Sequence, residues 1–166
     1  MKKLIAGVLV TFLLAAAVHA AGSPPPAEPR RDILGVKVGM TEQEAHAVLQ
    51  KIGRLPNPRD RKRTEVWEVN DPYFSHLAVQ FEKKTNLVHF VTAFAHGSKK
   101  ADRRRMRYDD VGELKKARRQ IVEPHPRNNY KYEWLLGAAG RNPKINVVAW
   151  GRDRDHLDIY SIERVN

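Results

Sequence analysis

One amphipathic segment, Thr41 to Gly53, places the strongest constraint on the fold of this 166-residue chain. Thr41 can cap a helix, and Glu44 can accept a hydrogen bond from the N–H of that cap, which together make a capping box. Gly53 is placed to end the helix as a left-handed residue. Apolar residues recur between these two ends with helical spacing and predict a stripe that packs on a core: Ala45, Val48, Leu49 and Ile52.

Three segments with β-strand patterns follow this helix. Thr64 to Val69 alternates in polarity, Leu77 to Glu82 places its apolar residues on one face, and Leu87 to Ala95 is rich in β-branched and aromatic residues. The polar turn Lys83 to Asn86 joins the last two, which predicts an antiparallel hairpin. The first half of the chain therefore has the pattern of one helix followed by three strands.

The same order returns in the second half. A helical stripe, weakened by Gly112, is formed by Val111, Leu114, Ala117 and Ile121, and strand patterns follow at 130–136, 145–150 and 157–162. Equivalent features of the two halves lie roughly 70 residues apart, which indicates an internal repeat. The predicted fold class is α+β, with two tandem units, each a helix packed on one face of a three-stranded antiparallel sheet.

The N-terminal residues predict export. Lys2 and Lys3, an apolar run and the motif Val18-His19-Ala20 are typical of a secretory signal peptide that is cleaved after residue 20. The chain has no cysteine, so it lacks the lipid-bearing cysteine that follows the signal of a bacterial lipoprotein. We expect a periplasmic or secreted protein that does not span a membrane after cleavage.

Two stretches of unusual composition mark the predicted boundaries between segments of the chain. A proline-rich stretch that favours an extended backbone follows the signal peptide, and a basic stretch separates the two halves. The predicted organisation is a signal peptide at 1–20, a proline-rich linker at 21–32, a first unit at 33–96, a basic connector at 97–107 and a second unit at 108–166.

A short set of motifs carries a family resemblance, and it surrounds the first helix: Leu34-Gly35, Gly39-Met40-Thr41, Leu49, Gly53 and Pro56, followed by Trp67 and two alternating strands. With these motifs the chain resembles the small outer-membrane assembly lipoproteins of the BamE (SmpA/OmlA) type. Two such units in tandem also resemble the β-lactamase inhibitor proteins, in which duplicated helix-plus-sheet units grip a partner. The resemblance implies a fold and a protein-binding role, and it assigns a role to no single residue.

Residues that carry catalytic or metal chemistry are scattered. The histidines beyond the predicted cleavage site have no His-x-x-x-His pair, and the serines lack a Gly-x-Ser-x-Gly elbow. We therefore expect neither an enzyme, nor a metal site, nor a cofactor. These histidines are His46, His76, His89, His96, His125 and His156.

An aromatic row formed by Tyr130, Tyr132 and Trp134 is a candidate partner-binding site with two interpretations. Its residues alternate along one strand, so they share one face of the sheet. In one interpretation they pack beneath a helix. In the other they lie on the open face of the sheet, where aromatic residues are typical interface anchors.

The charge of the chain suggests a second kind of site. Its formal net charge is +11, or +9 without Lys2 and Lys3 of the predicted signal peptide, and an exported protein with this charge is attracted to anionic phospholipid, lipopolysaccharide or acidic proteins. Nucleic acid is not an expected partner outside the cell. The candidate anion-binding residues are the cations of the connector: Lys99, Lys100, Arg103, Arg104, Arg105 and Arg107.

These observations favour an exported, non-enzymatic protein-interaction module of the bacterial cell envelope. The alternative is a binder of anionic envelope components through the basic loops. The two differ in their salt dependence, because binding driven by exposed charges weakens steeply with ionic strength and binding through an apolar surface does not.

Overall fold

A computed structural model describes residues 28–57, 63–96, 104–123, 129–140 and 142–165. The predicted signal peptide and most of the predicted linker lie outside these residues. The described parts form one α-helix, one 3-10 turn and ten strands. In chain order these are β1 (Asp32–Ile33), β2 (Val36–Lys37), α1 (Glu42–Ile52), β3 (Gly53–Arg54), β4 (Thr64–Val69), β5 (Phe74–Phe81), β6 (Val88–Ala95), the 3-10 turn (Leu114–Lys116), β7 (Arg119–Glu123), β8 (Asn129–Leu136), β9 (Ile145–Gly151) and β10 (Ile159–Arg164).

Eight of the strands form a single antiparallel sheet in the order β3-β4-β5-β6-β10-β9-β8-β7. The strands predicted in each half form a meander, β4-β5-β6 in the first and β8-β9-β10 in the second. The meanders join where β6 pairs with β10, from Phe94 opposite Ile159 to Phe90 opposite Glu163. The two halves therefore share one sheet.

The prediction of two helix-plus-sheet units was wrong, because the segment predicted as a second helix does not form one. Only Leu114–Lys116 is helical there, as a single 3-10 turn, and Ile121 lies in strand β7. Residues 119–123 instead pair with residues 129–133 of β8.

Local packing explains why this second segment is not an α-helix. A Cβ atom at Gly112 would lie 2.8 Å from Cγ of Pro29, so the chain passes this point in close contact with the N-terminal segment. The carbonyl of Glu113 accepts a hydrogen bond from the indole N–H of Trp134, at 3.1 Å. The β-branched pair Ile121-Val122 favours a strand after the 3-10 turn. Tertiary contacts and strand propensity thus outweigh the apolar periodicity.

The first helix is confirmed in detail. The backbone N–H of Glu44 donates to the Thr41 hydroxyl at 3.2 Å, and the backbone N–H of Thr41 donates to the Glu44 carboxylate at 2.8 Å, which completes the capping box. Hydrogen bonding to Thr41 lowers the pKa of Glu44 below its usual value. Ala45 and Leu49 are completely buried, so the predicted stripe faces the core.

Gly53 ends the helix for a different reason from the one predicted. Its φ is −169°, an extended conformation rather than a left-handed one. A Cβ atom at this position would lie 2.1 Å from the carbonyl oxygen of Glu68, because β3 begins at Gly53 and pairs there with β4. Glycine is required here because two backbones approach closely.

One face of the sheet is packed. A row of buried residues crosses it in register, from Trp67 through Leu77, Ala93 and Tyr160 to Ala149. Helix α1 covers the first half of this packed face, where the His46 ring centroid lies 5.8 Å from those of Trp67 and Phe81. Residues 104–117 cover the second half, with Tyr108 and Val111 each 1% exposed.

We predict that Gly53→Ala lowers the free energy of unfolding by about 1 to 3 kcal/mol or more, because the added Cβ would collide with the backbone carbonyl of Glu68. This range is the usual cost of overpacking a well-packed site. Gly137→Ala is the matched control, since no atom lies within 4 Å of a Cβ built at Gly137. Urea denaturation of both variants measures the difference. Equal stability of the two variants would contradict the close approach of β3 to β4.

Candidate functional site

The second face of the sheet, here called the open face, presents a row of large apolar side chains. Phe94, Ile159 and Trp150 are direct cross-strand neighbours on β6, β10 and β9. Among the described residues, the large hydrophobic side chains that are exposed are Val66, at 45%, and Phe94, at 37%, and both lie on this face. The open face is defined by Val66, His76, Phe90, Phe94, Trp150 and Ile159.

Ion pairs flank this row at both ends. Glu68 on β4 contacts Arg54 at 2.6 Å, and Glu133 on β8 contacts Lys131 at 2.6 Å. Arg54, Glu68 and Lys131 continue the register of the apolar row toward the two edges of the sheet. The middle of this row is therefore apolar, and the charged residues at its two ends are paired with one another.

A second candidate site lies on the packed face, beneath helix α1. Glu65 on β4 is only 3% exposed, and one oxygen of its carboxylate lies 2.8 Å from Nε2 of His46. The same oxygen accepts a hydrogen bond from the indole N–H of Trp67 at 3.0 Å. Glu42 lies one helical turn before His46, and its carboxylate completes a group of three metal-binding side chains whose ligand atoms lie within 4.8 Å of one another.

The sequence contains a signal for this acid–histidine cluster, formed by Glu42, His46 and Glu65, but it is not a pair of histidines. Strand alternation places Glu65 on the same face as Trp67 and Val69, so an acidic residue occupies a position that faces the core. Glu42 and His46 have the i, i+4 spacing of helix neighbours. Because the cluster has one histidine and two carboxylates, two of them on the helix and one on a strand, it does not match the His-x-x-x-His pattern.

The basic connector is partly described. Lys99, Lys100 and Arg103 lie outside the described residues. Arg104 is exposed. Arg105 forms an ion pair with Asp153 at 2.8 Å, and Arg107 forms one with Asp109 at 3.0 Å. Acidic side chains of the same chain therefore engage two of the six predicted anion-binding cations.

Asp153 organises the loop between β9 and β10. Its carboxylate accepts hydrogen bonds from the backbone N–H groups of Asp155 and His156, at 2.9 and 3.2 Å, in addition to the contact with Arg105. The bond from Asp155, supported by Arg105 and His156, holds the pKa of Asp153 well below its usual value. Asp153 therefore fixes the end of the basic connector against the β9–β10 loop.

The aromatic row lies on the packed face. Trp134 is 2% exposed, and Tyr132 lies between Tyr108, at a centroid distance of 4.9 Å, and Trp134, at 6.2 Å. Tyr130 is partly buried and packs against the same core. Of the two interpretations of Tyr130, Tyr132 and Trp134, this placement favours packing, although residues 104–117 rather than a helix cover the row.

Comparisons with known proteins identified no relative of this chain. The chain matches no protein-family model, no curated protein and no solved structure. The resemblance to BamE-type and β-lactamase-inhibitor proteins therefore stays a prediction.

The described residues include no helix of the length and apolar character needed to cross a membrane.

We predict that Asp153→Asn destabilises the fold at neutral pH and that this difference from the wild type shrinks as the pH falls below about 4. The folded pKa of Asp153 lies below the unfolded value of about 3.9, so its ionised form stabilises the fold above that pH and loses this effect on acidification. Urea unfolding across this pH range measures the difference, with Asp155→Asn as a control for the lost charge. A pH-independent difference would contradict the prediction.

Proposed function

We propose that this protein is an exported, non-enzymatic interaction module whose open face binds an acidic protein partner through that partner's apolar surface. The observation that carries the proposal is the cross-strand row of Phe94, Ile159 and Trp150 on the open face. Proteins that act alone rarely expose large contiguous apolar surface, and such patches commonly mark binding sites.

The apolar row on the open face favours a protein rather than a small molecule as its partner. An antiparallel sheet needs to be covered on only one side, so the fold is complete without a cover on the open face. Phe94 and Trp150 are aromatic residues of the kind that supply binding energy at the centre of protein interfaces. The neutralised ion pairs at either end fit the polar rim that surrounds such a centre.

The overall charge favours an acidic partner. The formal net charge of +11 becomes +9 when Lys2 and Lys3 leave with the predicted signal peptide, so the field of the exported protein attracts acidic proteins and repels basic ones. The row of Phe94, Ile159 and Trp150 is itself apolar, so net charge and apolar contact would act at different stages of binding. Long-range charge accelerates association, while burial of the aromatic row determines how long the complex lasts.

An envelope location follows from the predicted signal peptide at 1–20 and is part of the same proposal. The absence of a cysteine means that a lipid cannot be attached through a thioether. The partner would then be an acidic protein of the bacterial envelope, met in the periplasm or outside the cell.

Site-specific photocrosslinking tests the proposal. We place a benzophenone amino acid at Phe94 on the open face and, as a matched control, at Gln50 on the exposed side of α1, and irradiate both proteins in envelope extract. We expect Phe94 to give one discrete adduct that mass spectrometry identifies as an acidic protein. The adduct should persist from about 0.1 M to about 1 M NaCl, where the Debye length falls from roughly 10 Å to 3 Å.

Two results would contradict the proposal. One is the same set of adducts from Phe94 and Gln50, which would show that contact with the open face is not specific. The other is an open face that forms no adduct while the protein is retained on anionic vesicles at low salt only. That result would favour the alternative function, in which basic residues such as Arg104 bind anionic lipid or lipopolysaccharide.

A further inference from the structure

We propose that the acid–histidine cluster binds a divalent metal ion of the zinc class. Its ligands would be one carboxylate oxygen each from Glu42 and Glu65 and the Nε2 atom of His46. The proposal concerns the packed face, so it is independent of the partner proposed for the open face.

The geometry of the cluster fits a metal site with three protein ligands. Glu42 and His46 project from one side of α1 at i, i+4, and Glu65 faces them from β4, with all three ligand atoms within 4.8 Å of one another. Zinc is commonly bound by one or two histidines with carboxylates, and a site with three protein ligands leaves a fourth position for water or substrate. The imidazole ligand favours zinc-class ions over magnesium or calcium.

The contact between His46 and Glu65 shows where the ion would lie. The nitrogen and oxygen atoms are 2.8 Å apart, a separation that requires a hydrogen atom between them. A metal ion bound here would take the place of that hydrogen, which would pass to Nδ1 of the ring or to water. Two ligands at zinc distances are separated by roughly 3.3 Å in a tetrahedral site, so His46 and Glu65 would move apart by about half an ångström. The Glu42 carboxylate, whose ligand atom lies within 4.8 Å of the other two, would complete the site by a change of side-chain rotamer.

Trp67 supplies the outer-sphere contact that such a site needs. Its indole N–H donates to the Glu65 carboxylate at 3.0 Å and so fixes the orientation of a ligand that is almost completely buried. Outer-sphere partners of this kind typically contribute 10- to 100-fold to metal affinity. Trp67 would therefore be a positioning residue, because it acts through Glu65 and does not contact the ion.

Arg63 would compete with the ion for the Glu42 carboxylate. Its guanidinium lies 3.7 Å from the Glu42 carboxylate and is held by the Asn86 side-chain carbonyl at 2.7 Å. A metal ion at the cluster would share Glu42 with this positive charge, which weakens binding. Removal of the Arg63 charge should therefore tighten metal binding, an effect opposite in sign to the loss of Trp67.

Solvent reaches the cluster from the helix side. An open groove of about 580 Å³ is lined by Glu42, Gln43, His46, Ala47 and Gln50. The side chains of Glu42 and His46 are 33% and 29% exposed, whereas that of Glu65 is 4% exposed. Two ligands at the surface and one in the core would make a site that exchanges its ion and has room for a further ligand.

The test is a titration of the full chain after signal-peptide removal, purified without a histidine tag, with ZnCl₂ by isothermal calorimetry. Titration with CoCl₂ reports tetrahedral coordination by its visible absorption. We expect one zinc per chain for the wild type and no binding for Glu65→Gln. We expect roughly 10- to 100-fold weaker binding for Trp67→Phe and severalfold tighter binding for Arg63→Gln. His76→Gln, on the open face, is the control and should bind as the wild type does.

Failure to bind zinc by a wild-type protein that is folded by circular dichroism would overturn the proposal. Unchanged affinity in Glu65→Gln would also overturn it, because the ion would then lie elsewhere. If Glu65→Gln does not fold, Glu42→Gln on the exposed side of the cluster makes the same test, and unchanged affinity there is equally decisive. None of these outcomes bears on the photocrosslinking at Phe94, so the two proposals fail separately.

Discussion

The antiparallel pairing of β6 with β10 is the interaction on which the rest of the structure depends. It places Val91 opposite Ile162 in the core and Thr92 opposite Ser161, whose hydroxyl oxygens lie 2.9 Å apart on the other side of the sheet. Through this pair the two meanders become one sheet with a single core. The same pairing extends the open face across both halves, because Phe94 and Trp150 come from different meanders and meet only through Ile159. Both the stability of the fold and the proposed binding surface therefore follow from one strand pair.

Local patterns predicted the elements whose stability is local, and failed where tertiary contacts decide. The Thr41 capping box and the strands at 64–69 and 87–95 were predictable, because hydrogen bonds between near neighbours and alternating burial leave a direct trace in the sequence. The second helix was predicted wrongly since its apolar spacing is compatible with a 3-10 turn followed by β7. The deciding contacts, Gly112 against Pro29 and the Glu113 carbonyl with the Trp134 indole, join residues far apart in the chain. A sequence pattern contains no record of such pairings.

The candidate sites show the same division. Burial of Glu65 is implied by strand alternation, but its contact with His46 depends on how α1 lies on the sheet. The predicted anion-binding cations were identified from charge alone, and charge does not reveal that Asp153 and Asp109 engage Arg105 and Arg107. Asp153 and Asp109 thus offset two positive charges of the basic connector. An open sheet face was predicted only as one of two locations for the aromatic row. The residues on the open face are instead those that alternate with the buried residues along each strand.

The central claim is that the sheet has one packed face and one face available to a partner, and the three tryptophans of the chain test it directly. Trp67 and Trp134 lie on the packed face, 5% and 2% exposed, and Trp150 lies on the open face. Hydroxyl-radical footprinting of the folded protein, read by peptide mass spectrometry, measures the reactivity of each. The account predicts rapid oxidation of Trp150 and strong protection of Trp67 and Trp134. Protection of Trp150 to the same degree as Trp134, or oxidation of all three at similar rates, would contradict it.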